Sequence, residues 1–379
     1  MSSERERIYL SPPDVTEAEV DAVSAAIRSG WVAPLGPDVD GFESDICAFT
    51  GIGSAVALSS GTAALHLGLK AIGVQPGDSV IVPTLTFGAT AFAATYAGAT
   101  PVFLDADEST WNLDPQLLDD VLAAKARGNE LPSAIMTVDL FGRTCDYGAI
   151  MGIAARYGIP VLEDAAEALG SRCGEQSAGA FGRAGVFSFN GNKIMTTSGG
   201  GMLVTDDADL ADRVRYWSTQ SREPLPWYEH LEIGYNYRMS NLLAALGRAQ
   251  LSRLPSIIER HRAIRDAYAQ GLADVPGVAI VQDPAWGAGN AWLTNLRCDA
   301  GLHPGAPERI RLALEALNIE SRPVWKPMHQ QPVFASAESH LTGVSDRIFA
   351  DGLCLPSGSA MSADDVALVT TTIRTTLQA

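Results

Sequence analysis

Cysteine is scarce in this 379-residue chain. The five residues, Cys47, Cys145, Cys173, Cys298 and Cys354, include no C-x-x-C pair. Their scatter excludes the usual iron–sulfur and zinc cysteine patterns, so no metal is expected, and the odd number suggests reduced thiols and a cytoplasmic protein. Positive charge is in deficit as well, with 27 Lys and Arg against 44 Asp and Glu and a net charge of −17. A chain of that sign lacks the basic footprint of nucleic-acid binding and is repelled by an anionic membrane surface, so neither partner is expected. A small anionic ligand is still compatible, because a helix N-terminus and a few cations can hold one. The leading MSSERERIYL has no apolar run, so no secretory leader is expected. Residues 79–104 carry no charge, but Pro83, Gly88, Gly98 and Pro101 break them. They suggest a buried strand, helix and strand rather than a membrane span.

What the chain has is 46% hydrophobic residues and 19% charged ones. At this length that supports a large core without disulfide or metal staples, and it excludes general disorder. Thr16 and Glu19 form a capping-box pattern ahead of an amphipathic helix that Gly30 ends, and a Gly/Pro-rich loop follows. Short apolar runs then alternate with helical patterns. SVIVP, PVFLD, SAIMTVDL and PVLED suggest strands, and residues 86–98, 114–127 and 147–157 suggest helices. This alternation predicts an α/β fold with a mostly parallel sheet flanked by helices, and a ligand site beyond the carboxyl ends of the strands. GVFSFN and GMLVT add two strands, and residues 240–250 and 256–271 suggest two further helices. The later pattern predicts a smaller C-terminal α+β domain. The expected division is 1–250 for a large domain, including the N-terminal helix, and 251–379 for the small one.

Three segments carry chemistry. Ser59-Ser60-Gly61-Thr62 is a small-residue turn from a strand into a helix, where free amides and the helix dipole suit a phosphate; taken alone, an ordinary capped turn is the better account. Asp164 ends the strand PVLED, where it could hold a cationic ring nitrogen or a metal, or simply cap the next segment. Lys193 follows FSFNGN in a polar Gly-rich loop, where desolvation would free its amine as a nucleophile, although most loop lysines are solvated. Taken together, a phosphate turn, a strand-end acid and a loop lysine form a pyridoxal phosphate (PLP) site. The acid would keep the pyridine nitrogen protonated, and Phe87 in PTLTFGAT could face the ring.

SSGTAALHLGL, VPTLTF, EDAAEALGS, FSFNGNK, SGGGM and GYNYRMSN stand in this order along the chain. In that order the sequence resembles the DegT/StrS-type family of PLP-dependent nucleotide-sugar aminotransferases, of fold type I, over nearly its whole length. The resemblance implies Lys193 as the Schiff-base lysine, Asp164 as the pyridine partner and Phe87 as the stacking ring. It implies Gly61, Thr62 and Ser188 at the phosphate, and Glu167, where many relatives have Gln, beside the ring hydroxyl. Asn236 would reach the same phosphate from a neighbouring subunit, which implies a homodimer with shared active sites. Glutamate is the implied amino donor. A narrower resemblance, in residues 217–241, in RPVWKPMHQQPVF and in GLCLPSG, is to the bacillosamine-pathway transaminases. It implies amination at C4 of a UDP-linked 4-keto-6-deoxy-N-acetylglucosamine, with Arg238 and His329 at the nucleotide sugar. Against this stand a salt bridge for Arg238 and a structural role for His329. Other keto-sugar acceptors, a sugar dehydratase and a regulatory protein are the alternatives; the presence of Lys193 opposes the dehydratase, and the net charge opposes a DNA-binding regulator. Trp31, Trp325 and Lys326 are unassigned candidates.

Overall fold

The computed structural model describes residues 6–378. Its centre is an eight-stranded sheet. Five strands come first in the chain: β1 (Ser54–Leu58), β2 (Ser79–Pro83), β3 (Thr100–Leu104), β4 (Ala134–Val138) and β5 (Val161–Asp164). The hairpin strands β6 (Arg172–Cys173) and β7 (Gln176–Ser177) lie outside the sheet, which continues with β8 (Ala184–Ser188) and β9 (Gly201–Thr205). Later come β10 (Val278–Ile280), β11 (Gly287–Ala288), β12 (Thr294–Cys298), β13 (Arg322–Pro323), β14 (Ser339–His340) and β15 (Gly352–Leu355). The order across the large sheet is β1-β9-β8-β5-β4-β2-β3-β14, and only β9 runs against its neighbours. The central strands are mostly apolar because both faces are covered, with Glu163 and Asp164 at the end of β5 as the charged exception.

The early helices are α1 (Glu17–Ser29), α2 (Pro37–Thr50), α3 (Gly61–Ala71), α4 (Gly88–Tyr96), α5 (Pro115–Gly128), α6 (Tyr147–Tyr157), α7 (Ala208–Ser218) and α8 (Asn241–Leu272). Alternate strand residues point to opposite faces. Val80 and Val82 pack with α3, α4 and α7, while Ile81 packs with α5 and α6. Ala55 and Ala57 of β1 meet Phe42 and Ile46 of α2 and Leu251 and Leu254 of α8. The uncharged stretch at 79–104 is the strand–helix–strand unit β2-α4-β3, and no described helix is long and apolar enough to cross a membrane. The Thr16–Glu19 capping box and the left-handed Gly30 stop bound α1 as the sequence predicts.

Two expectations change. The two helices expected at 240–250 and 256–271 are one, α8, with Pro255 inside it. Proline removes one backbone donor, but Leu251, Leu254, Ile257 and Ile258 on either side are all buried in one core, which carries the helix through. The expected division at 250/251 therefore falls inside a helix. Helix α2 follows directly on the Gly/Pro-rich loop and is not among the helices expected from the sequence. The C-terminal strands form a second sheet, β10-β12-β15-β13. It packs on the end of α8 and on α9 (Ala306–Glu315) and α11 (Ala363–Gln378), and the short α10 (Val344–Asp351) touches β12 and β15. This part also returns to the first: β14 extends the large sheet beside β3, and β11 pairs with β6.

Candidate active site

The carboxyl ends of β1, β2, β5 and β8 lie along one edge of the sheet, and each delivers part of one cavity of about 290 Å³. From β1 comes the turn into α3. The Ser60 side chain caps the helix by accepting from the Ala63 amide at 3.0 Å, and its carbonyl accepts from Ala64. The amides of Gly61 and Thr62, ahead of these bonds, are the donors that a ligand would meet at the positive end of the helix. Gly61 is there because Ser188, the last residue of β8, comes close. A Cβ on Gly61 would stand 3.0 Å from the Ser188 Cβ and 3.3 Å from its Oγ.

Asp164 ends β5 and is 5% exposed. Its Oδ2 accepts from the Thr90 hydroxyl at 2.7 Å and its Oδ1 from the Ala166 amide at 3.2 Å. Burial pushes its carboxyl up to about 6, against the pull of these two donors. Lys193 offsets the burial only weakly, so a cation placed in the cavity would find a matching carboxylate. Phe87, between β2 and α4, is 58% exposed and meets Trp325 edge-on, with ring centres 5.8 Å apart.

Lys193 stands in the loop after β8 with its side chain 12% exposed. Its Nζ lies 3.1 Å from Glu167 Oε1 and 4.0 Å from the centre of the Trp292 ring. The other Glu167 oxygen accepts from the Phe141 amide at 2.7 Å. Trp292 is fixed in turn, its Nε1 donating to the Asn192 carbonyl at 2.6 Å. The cavity thus brings together Gly61, Thr62, Phe87, Asp164, Glu167, Ser188 and Lys193. Thr90, Trp292 and Trp325 also line it. The first two were not singled out in the sequence, and neither stands in a local pattern that marks it. Trp31 and Lys326 are exposed and are not among the residues that line the cavity.

Asn236, Arg238 and His329 do not line the cavity of their own chain. Asn236 is exposed, on a segment that pairs with Thr219. Arg238 has a side chain 9% exposed, and it donates to Glu43 and to the Ala57 carbonyl. His329 has Nδ1 2.7 Å from Thr84 Oγ1 and Nε2 2.9 Å from Asp346 Oδ1. Within one chain, therefore, Arg238 is in a salt bridge and both His329 ring nitrogens are engaged.

The DegT/DnrJ/EryC1/StrS aminotransferase family profile matches residues 13–374. A Bacillus subtilis (strain 168) protein described as a pyridoxal phosphate-dependent aminotransferase, EpsN, is 46% identical over 363 residues, 95% of this chain and 93% of that protein. A GDP-perosamine synthase of Caulobacter vibrioides is 37% identical over 370 residues, 96% of each chain. Among solved structures, one described as the sugar aminotransferase Spr1654 from Streptococcus pneumoniae, in its PLP form, superposes with a TM-score of 0.91. It is 27% identical, and the match covers 98% of this chain and 99% of that one.

Proposed function

The chain belongs to the DegT/DnrJ/EryC1/StrS aminotransferase family, and from that premise we propose the following reading of its cavity. The protein is a PLP-dependent sugar aminotransferase. Its acceptor is a nucleotide-linked keto-sugar, aminated at C4 and, by the narrower resemblance, a UDP-linked 4-keto-6-deoxy-N-acetylglucosamine. Glutamate is the donor. The observation that carries the reading is the joint presence of Lys193, Asp164 and the α3 N-terminus around one cavity.

The residues suit the cofactor. Asp164 is a buried carboxyl in need of a cation, and Gly61 leaves room beside Ser188 where a side chain would intrude. PLP, when bound, supplies an electron sink for the bond being broken. The protein does the rest. The Gly61 and Thr62 amides and the Ser188 hydroxyl would bind the phosphate. Asp164 would hold the proton on the ring nitrogen, and Phe87 would cover one face of the ring. Lys193 would bind the aldehyde through Nζ and, once displaced by the donor, move a proton from the donor's α-carbon. Trp292 would keep water from that nitrogen.

A homodimer with shared sites is part of this reading. Its support is the exposed apolar surface of Trp227, Tyr228, Leu231 and Ile233 on the segment that leads to Asn236. Arg238 is bound to Glu43 and Ala57 through Nη1, whereas Asn236 is exposed, so Asn236 is the better candidate for reaching a second copy. The test is a mass-spectrometric assay of purified protein with PLP, glutamate and a panel of UDP-, GDP- and dTDP-linked keto-sugars. Amination of the UDP sugar supports the full reading. Preference for a GDP or dTDP sugar replaces the substrate and keeps the reaction. No amination of any keto-sugar overturns the reading.

A further inference from the structure

We propose that Glu167 is the proton partner of Lys193. Its carboxylate would take the lysine ammonium proton whenever the amine must act as nucleophile or base, and return it afterwards. This deepens the reading above and rests on Lys193 being the cofactor lysine.

The geometry gives Glu167 two separate oxygens. Oε2 is bound to the Phe141 amide at 2.7 Å, and Oε1 faces Lys193 Nζ at 3.1 Å. The backbone around it is fixed as well, because Asn290 Nδ2 donates to the Glu167 and Leu169 carbonyls at 2.8 and 3.0 Å. The pair is shielded, with side chains 12% and 5% exposed, and the Trp292 ring lies against the amine. The Asp164 oxygens are already engaged by Thr90 and Ala166.

The other ionisable groups that face the pair are Asp164, Arg143 and Cys354. Arg143 is buried, and its Nε and Nη2 have no hydrogen-bond partner among the described residues. It places a positive charge near Glu167, and Asp164 places a negative one there. Cys354 is uncharged, since burial pushes its thiol up to about 12. The transfer is balanced within the pair: ammonium and carboxylate become amine and carboxylic acid, and no other reactant is required.

Glu167→Gln keeps the shape and an acceptor for the Phe141 amide but cannot hold the proton. The readout is the pH at which the visible absorbance of bound PLP changes. A negative charge this close favours the protonated form of the cofactor linkage, so its removal should lower that pH by about one unit or more. Glu167→Asp, which retains the charge, should restore most of the shift. Transitions of wild type and E167Q within about 0.3 pH units of each other overturn the proposal, as does an E167D transition as low as that of E167Q. Borohydride-reduced adducts on Lys193 serve as the control. Their absence from wild type would instead overturn the cofactor reading itself, and this proposal with it.

Discussion

The Thr90 hydroxyl donates to Asp164 Oδ2 at 2.7 Å, and Thr86 Oγ1 stands 2.7 Å from the same Thr90 oxygen. A helix from one side of the sheet edge thus steadies the carboxylate from the other. After burial, which raises the Asp164 carboxyl to about 6, the Thr90 bond is the largest influence on it and acts in the opposite direction. Thr90→Val keeps the volume and removes the donor, so Asp164 should rise further. A hydrogen bond to a charged group contributes about 1.5–3 kcal/mol, so the dissociation constant of PLP at neutral pH should increase roughly tenfold or more. Absorbance titration of the apoprotein measures it, and an unchanged constant would contradict the role given to Thr90.

Asp164→Asn should be more severe for turnover than for binding. A neutral amide cannot hold a full positive charge on the ring, and each unit of lost stabilisation is a factor of about ten in rate. A slowing of the glutamate half-reaction by about a hundredfold or more is expected, read by stopped-flow absorbance on protein that still carries cofactor. Near wild-type rates would remove Asp164 from the pyridine nitrogen.

The same residue predicts a pH-dependent stability in the apoprotein. The folded value of about 6 lies above the ordinary 3.8. A raised carboxyl stabilises the fold fully below its unfolded value, and that contribution is lost as pH rises through the folded one. The wild-type apoprotein should therefore lose on the order of 3 kcal/mol between about pH 4 and pH 7 at this site. Apo Asp164→Asn should not lose it. Denaturant unfolding at pH 4.5 and pH 8 should show the variant gaining on wild type mainly at the higher pH. An equal difference at both would refute the shift.

The phosphate turn is set by backbone proximity. A Cβ on Gly201 would lie 2.4 Å from the Ser60 carbonyl carbon and 2.5 Å from the Gly61 amide nitrogen, whereas one on Gly61 would meet Ser188 at 3.0 Å. Overpacking of a rigid contact costs about 1–3 kcal/mol. Gly201→Ala should therefore lower Tm and weaken PLP binding, and Gly61→Ala should weaken binding with a smaller change in Tm. The reverse ranking would count against this account of the turn.

The sheet and its helices were legible because buried parallel strands appear as short apolar runs and their helices carry caps, as with SVIVP and Thr16–Glu19. The residues that line the cavity were legible for a related reason: Asp164 and Ser188 end strands, and Gly61 and Lys193 lie just beyond strand ends, where ligands gather. Helix α2 has Val39, Phe42 and Ile46 on one buried face, but its N-cap is Gly36, which has no side chain to announce a start. The single helix through Pro255 overrode a local breaker by burial on both sides. Thr90 on Asp164, Trp292 over Lys193 and Glu43 on Arg238 join residues far apart in sequence, and each partner taken alone is an ordinary core or surface residue.

The central claim is that Lys193 carries PLP. Borohydride reduction of the purified protein after incubation with PLP, followed by peptide mapping, tests it most directly. The account predicts a pyridoxyl adduct on Lys193, absent in Lys193→Ala. An adduct on another lysine, or none in protein shown to be folded, would contradict it.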